Sequence, residues 1–170
     1  MFNVARKVKG FQLGLINIAD SSSLSIGLIN IVNRGYNRVE FGGSESLHAF
    51  AGLKLGTRPF YNIFHIGARW DDTERIVDGS TQVGTFMSWG LGYGIGTTIG
   101  LGNRTLINLE AIGIHVNELE EWTTQRNLMG QFRLLLDLRL GRRFSFFMGP
   151  VGNIMWSGLY NPDTDTYGSI

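Results

Sequence analysis

Residues 86–102 read FMSWGLGYGIGTTIGLG, seventeen positions without a charge. Odd positions carry Met87, Trp89, Leu91, Tyr93, Ile95, Thr97, Ile99 and Leu101, whereas even positions from 88 onward carry Ser88, Thr98 and otherwise glycine. A helix spanning lipid needs about 20 apolar residues, and glycine is a poor helix former. The two-residue period is that of a strand, whose successive side chains point to opposite faces. Any fold of this chain must therefore accommodate a long strand that is bulky on one face and nearly bare on the other.

The same period recurs. In 45–56, Leu47, Ala49, Ala51, Leu53 and Leu55 alternate with His48, Phe50, Gly52 and Lys54; in 60–70, Phe60, Phe64, Ile66, Ala68 and Trp70 oppose His65, Gly67 and Arg69. In 128–140, Phe132, Leu134, Leu136, Leu138 and Leu140 alternate with Gln131, Arg133, Leu135, Asp137 and Arg139. Segments 104–117 and 144–156 are weaker, with a phase that drifts as a bulge would make it. No 3.6-residue apolar stripe holds for three turns, so the chain is expected to be all-β. Pairing across the Gly56–Pro59 turn would set His48 opposite Arg69 and His65 opposite Gly52.

Tight polar turns at 20–23, 56–59, 102–104 and 141–143 alternate with longer stretches at 33–43, 71–82 and 117–127. Short turns at one rim and long loops at the other predict an antiparallel up-and-down transmembrane β-barrel, with about eight strands visible. The first and last visible connections are both short, which standard topology does not allow; ten strands, one more at each end, would restore it.

A water-soluble barrel would turn the glycine face of 86–102 outward, leaving a solvated wall with almost nothing to solvate. The inverted arrangement puts aliphatic and aromatic side chains against lipid. It gathers His48, Lys54, His65, Arg69, Glu110, Arg133, Asp137 and Arg139 in a narrow polar lumen, plugged by their mutual pairing. Phe60, Trp70, Phe86, Trp122, Phe144, Phe146 and Trp156 fall near strand ends, where interfacial aromatic girdles would sit.

A length of 170 residues suits one domain, 1–170. The net charge of +1, with basic residues unclustered in sequence, gives no footprint for nucleic acid. Charged residues are 17% of the chain and glycines number 24, while aromatics at 12% exclude a disordered composition. Cysteine is absent, which removes disulfides and thiolate metal sites but does not set the compartment. No signal peptide is visible, so an exported protein would here be a mature chain or a fragment.

The pentapeptide Gly-Leu-Ile-Asn-Ile occurs at 14–18 and again at 27–31, on either side of Asp20-Ser-Ser-Ser23. The expected arrangement is a hairpin over 11–31, with sister strands 11–18 and 24–31. A stacked solenoid that aligns Asn17 with Asn30 is the rival, with two copies too few to build one alone. The run VKGFQLGLINIADSSSLSIGLINIVNRGYNRVEF (8–41), followed by FYNIFHIG (60–67) and WGLGYGIGT (89–97), resembles the end of the repeat region in surface-repeat outer-membrane β-barrel proteins of Gram-negative bacteria. The resemblance implies an outer-membrane location and a barrel or repeat-built β architecture. It carries no assigned reaction or ligand, and the chain departs from it in having two repeat copies and no export signal.

Catalytic, cofactor and metal motifs are weak. Gly94, Gly96 and Gly100 lie within a strand with the wrong spacing for a dinucleotide loop. His48, His65 and His115 are expected to be lumen or loop histidines making hydrogen bonds, since His48 beside Arg69 is a poor cation site. Ser44, Glu45, Ser46 and His48 match a rim hydrolase in residue type but cannot all point one way along a strand. Asn161, Asp163 and Asp165 lack the bidentate glutamate of a calcium loop. The expectation is a non-enzymatic outer-membrane barrel with a structural or surface-interaction role and no cofactor. Its partners would be outer-membrane lipid and other envelope proteins reached through 33–43, 71–82 and 117–127. The alternatives are a soluble ligand-binding barrel, a lipid-modifying hydrolase and a small pore.

Overall fold

The computed structural model describes the backbone of residues 2–77, 80–117, 127–141, 143–157, 160–161 and 166–167, and the side chains of these except 71–83, 86 and those beyond 156. Strands account for nearly all of the regular structure, and no helix occurs among the described residues.

The repeat does not form a hairpin. Strands β1 (Phe2–Leu13), β2 (Ile16–Ile26) and β3 (Ile29–Val32) pair in parallel, Ile16-Asn17-Ile18 lying in register on Ile29-Asn30-Ile31. The reason is local. A hairpin turning at 20–23 would set Asn17 across from Ile26, whereas parallel coils set like on like and let each asparagine amide bond to the next. Asn3 Nδ2 donates to Asn17 Oδ1 at 3.0 Å, and Asn17 Nδ2 donates to Asn30 Oδ1 at 2.8 Å. Within one coil the two flanks do face each other, Asn17 Nδ2 also reaching the Ile26 carbonyl at 2.9 Å, but the backbone ladder runs between coils.

A third copy, Phe2-Asn3-Val4, completes the stack, preserving from the repeat only the asparagine between apolar neighbours. Asn3 and Asn17 are 14 residues apart, Asn17 and Asn30 13 apart. The extra residue is absorbed between Val8 and Phe11, where the register shifts and Gly10 takes a φ of 116°. Asn17, Ala19, Ser25, Asn30 and Val32 fill the flat interior of the coils, while Phe2, Val4, Ile18 and Ile31 stand outside.

The rest of the chain is a curled antiparallel sheet, a half-barrel. Its strands are β4 (Arg38–Gly42), β5 (Ala49–Gly56), β6 (Tyr61–Val77), β7 (Ser80–Gly100), β8 (Thr105–Asn117), β9 (Asn127–Arg139), β10 (Ser145–Met148) and β11 (Val151–Ser157). Each neighbours the next, except that β10 and β11 both pair with β9. Met148 faces Leu136 and Val151 faces Arg133, three steps forward for three back, so the two segments are one edge strand in a single register. It is interrupted at Gly149-Pro150, where proline has no N–H for the ladder. The drift expected in 144–156 is this interruption rather than a bulge. In 104–117 the alternation holds to Ile114, with Leu106, Ile112 and Ile114 turned inward among the polar residues, and breaks only at the strand's end, where Asn117 is buried out of phase.

The pairing of Gly52 with His65 across the 56–59 turn holds as the alternation predicts. Two of the three long connections do not hold. Within 33–43 lies β4, and most of 71–82 is the tip of one long β6–β7 hairpin, paired out to Val77 and Ser80. Of 117–127, only the terminal asparagines fall within the described residues, as strand ends. The turns at 57–60, 101–104 and 140–144 share one rim. Among the described residues, the edge strands β4 and β10 meet through a side-chain bond, Arg38 Nη1 donating to Ser145 Oγ at 3.2 Å, and the Phe50 ring of β5 lies 6.4 Å from the Phe147 ring of β10.

The asparagine ladder joins the two units. Tyr61-Asn62-Ile63 of β6 stands where a further Ile-Asn-Ile would, and Asn30 Nδ2 donates to Asn62 Oδ1 at 2.6 Å. Asn62 Nδ2 then bonds to the Gly27 carbonyl and to Tyr93 Oη, whose hydroxyl donates to the Leu28 carbonyl at 2.9 Å. By phase Asn62 belongs to the outer face with Phe64 and Ile66, yet it is fully buried because the coils dock over it.

Candidate functional site

Alternation along β6–β9 sets inward side chains in register rows. The first row to run across all four strands from the short turns is Tyr61, Gly96, Glu110 and Arg133; the next is Ile63, Gly94, Ile112 and Gln131; then His65, Gly92, Ile114 and Met129. The interior is accordingly polar towards the short turns and apolar farther in, where Leu47 joins Ile63, Ile112, Ile114 and Met129. The outer face is the reverse. Ile66 is 51% exposed, Phe132 56% and Leu134 46%, against 5% for Glu110 and 3% for Arg133. Along β7 the odd-numbered bulky residues are outside and the even-numbered glycines inside.

Those glycines have a steric role. A Cβ on Gly96 would meet the Tyr61 ring at 2.5 Å, and one on Gly52 would meet Glu40 Oε1 at 2.7 Å. The bare positions are what let a tyrosine and a glutamate turn into so narrow a space.

The most concentrated chemistry is a closed charge quartet. Glu40 on β4 and Glu110 on β8 each contact both Lys54 on β5 and Arg133 on β9, at 2.6 and 2.7 Å for Glu40 and 2.5 Å for both Glu110 pairs. All four side chains are nearly inaccessible. The signs alternate around the ring and cancel, as buried charges require. Tyr61 Oη donates to Glu110 Oε1 at 2.8 Å, and the Arg133 guanidinium lies over the Phe50 ring. Arg133 Nε and Nη1 have no hydrogen-bond partner among the described residues. The quartet ties the first two strands of the sheet to β8 and β9 across the bore.

Lys54, Glu110 and Arg133 are therefore brought together as the alternation predicts, and Glu40 is the member the alternation misses. The other expected lumen residues divide. His65 is buried on the inward face against the Phe50 ring, at 4.8 Å. Arg69 keeps the inward phase but is half-buried, four residues beyond His65. Asp137 and Arg139 lie nearer the short turns, bordering an open cavity. His48 is not in the lumen: β5 begins one residue later, and His48 stacks on Trp70, its Nδ1 accepting the Trp70 N–H at 3.2 Å. The phase extrapolated through His48 fails because the strand has not yet started there.

The rim residues considered for hydrolysis do not assemble. Ser44 Oγ and Ser46 Oγ bond to each other at 3.2 Å and Ser44 caps a turn with Leu47, whereas His48 engages Trp70. No group of three histidine or acidic residues that could hold a metal occurs among the described residues. Asp163 and Asp165 lie outside them. Comparison of the chain with protein-family models, with curated proteins and with solved structures gave no match. The geometry itself offers a neutral ionic plug inside an apolar shell.

Proposed function

We propose that this chain is a non-enzymatic outer-membrane β-barrel element, structural or surface-interacting, with a bore closed by the Glu40–Lys54–Glu110–Arg133 quartet. The observation that carries the reading is the inversion of the usual side-chain distribution: an apolar wall of Ile66, Leu91, Ile95, Phe132, Leu134, Leu136 and Leu138 surrounds ionised groups. In water such a wall would be a docking surface far larger than a soluble monomer tolerates; in hydrocarbon it is the favoured exterior. Length supports it. From Tyr61 to Trp70 on β6 a strand rises about 30 Å, which at the roughly 40° tilt of membrane barrels spans about 23 Å, close to the height of the apolar band. Phe60 and Phe144 flank the short-turn rim, and Trp70 and Trp156 lie towards the opposite end. No helix among the described residues is long and apolar enough to cross a membrane, which has no bearing on strands.

The test is folding with and without amphiphile. Circular dichroism should show β-structure in detergent or lipid and not in plain buffer, with heat-modifiable migration on gels. Planar bilayers containing the folded protein should show no steady aqueous conductance. A monodisperse, fully folded protein in plain buffer would instead establish the soluble ligand-binding barrel, which the cavity at the short-turn end favours.

A further inference from the structure

The short turns share a composition that the quartet leaves unexplained. Thr57-Arg58-Pro59-Phe60, Leu101-Gly102-Asn103-Arg104 and Leu140-Gly-Arg-Arg-Phe144 each carry arginine, and none carries an acid. In sequence these residues are far apart. The topology puts all three turns at one rim, and a cavity of about 1130 Å³ opens there. Arg38, Arg58, Arg104, Arg139 and Arg143 all border it, with Lys54 and Glu40 at its floor.

Lys54 and Glu40 are already neutralised within the quartet. Against five guanidinium groups the cavity wall then sets, among the described residues, one carboxylate, Asp137. A buried donor at this wall, Arg139 Nε, has no hydrogen-bond partner among the described residues. The chain as a whole carries only +1, so the mouth holds a strong local excess of positive charge. Like charges converging on a concave, partly enclosed space repel one another in the folded state, and an anion relieves that repulsion. Guanidinium groups are planar forks of donors that suit the oxygens of a phosphate, and several such forks around one cavity suit more than one phosphate oxygen at once.

We propose that the short-turn mouth is a binding site for a phosphate-bearing ligand, gripped by Arg58, Arg104 and Arg139, with Arg38 and Arg143 supplying long-range attraction. The site is independent of whether the outer wall meets lipid. It depends only on the turns and the cavity between them.

Full-length protein, folded in zwitterionic detergent or in buffer as its solubility requires, should be titrated calorimetrically with two probes. Inorganic pyrophosphate reports a free phosphate, and short-chain dihexanoyl-phosphatidylglycerol reports a lipid headgroup. Saturable binding of either probe is the expected result, and which one binds more tightly assigns the source of the phosphate. Arg58→Gln and Arg104→Gln lie in exposed turns and should leave the far-ultraviolet circular dichroism unchanged while weakening binding about tenfold each, the loss expected for one charge-assisted contact. Lys7→Gln, on the first coil, should leave binding unchanged. Arg139→Gln should also weaken binding, with circular dichroism separating a binding defect from misfolding. The proposal is overturned if neither probe shows saturable binding, or if Arg58→Gln, Arg104→Gln and Lys7→Gln all bind alike.

Discussion

The coil stack and the curled sheet solve one problem in opposite ways. Both turn apolar side chains outward and bury polar groups, but the coils run a ladder of neutral amides through their interior, whereas the sheet sets a ring of ions beside an apolar cluster. In the stack, Asn3, Asn17 and Asn30 bond in turn across parallel rungs, so the same residue recurs at the same height, and Asn30 passes the ladder on to Asn62 of the sheet. In the sheet, Glu40 meets Arg133 across 93 residues of chain, and no member of the quartet repeats another. Repetition can satisfy a polar interior with one residue type because donor and acceptor lie on the same side chain. A curled sheet of unlike strands must match donors and acceptors singly, and charge is the strongest way to specify those matches.

The contrast sets the scale of damage on each side. Lys54→Met should have the largest effect, removing about 3–5 kcal/mol of stability, because Glu40 and Glu110 would then share only Arg133 in a space closed to water. Urea unfolding in detergent measures it. Replacing the whole quartet together (Glu40→Leu, Lys54→Met, Glu110→Leu, Arg133→Met) should cost far less than Lys54→Met alone, since no charge remains to be left unpaired. If the fourfold variant is the worse of the two, the ring contributes more than mutual neutralisation.

Gly96→Val should cost about 3 kcal/mol by forcing a side chain into the Tyr61 ring, read from the same unfolding curves. On the coil side, Asn17→Ala should cost about 2 kcal/mol, because it orphans amide groups on both neighbouring rungs. Asn3→Ala, at the outer rung with one laddered neighbour, should cost less than half as much. Equal effects at Asn3 and Asn17 would mean that the ladder contributes little. Gly10→Ala should have the smallest effect, about 1 kcal/mol, from backbone strain alone, since a methyl group there meets nothing within 4 Å.

The two units also differ in how far the sequence reveals them. The half-barrel's inside and outside can be read from Met87–Leu101 and from Phe132–Leu140, because burial on one face and not the other writes itself into every second residue. Register across a tight turn follows too, as Gly52 and His65 show. Glu40 escapes because its strand is five residues long and sits among Gly, Asn and Arg, which read as a loop. The β6–β7 hairpin outruns its apolar stretch because backbone pairing continues through Asp71–Val77 whatever the polarity there. The coil stack is the harder case. Two visible copies fit a hairpin as well as a coil, and the third, Phe2-Asn3-Val4, retains a single diagnostic letter. The arginines of the three short turns are plain in sequence, but only the curl of the sheet brings them to one cavity.

The account stands on the outward face of the sheet meeting hydrocarbon. Spin labels placed one at a time from Gln131 to Leu138 on β9, in protein reconstituted into lipid vesicles, test this most directly. Labels at Phe132, Leu134, Leu136 and Leu138 should collide freely with oxygen and little with a water-soluble nickel chelate, with Arg133, Leu135 and Asp137 shielded from lipid between them. A pattern in which the even-numbered labels are instead quenched by the nickel chelate would place that face in water and contradict the account.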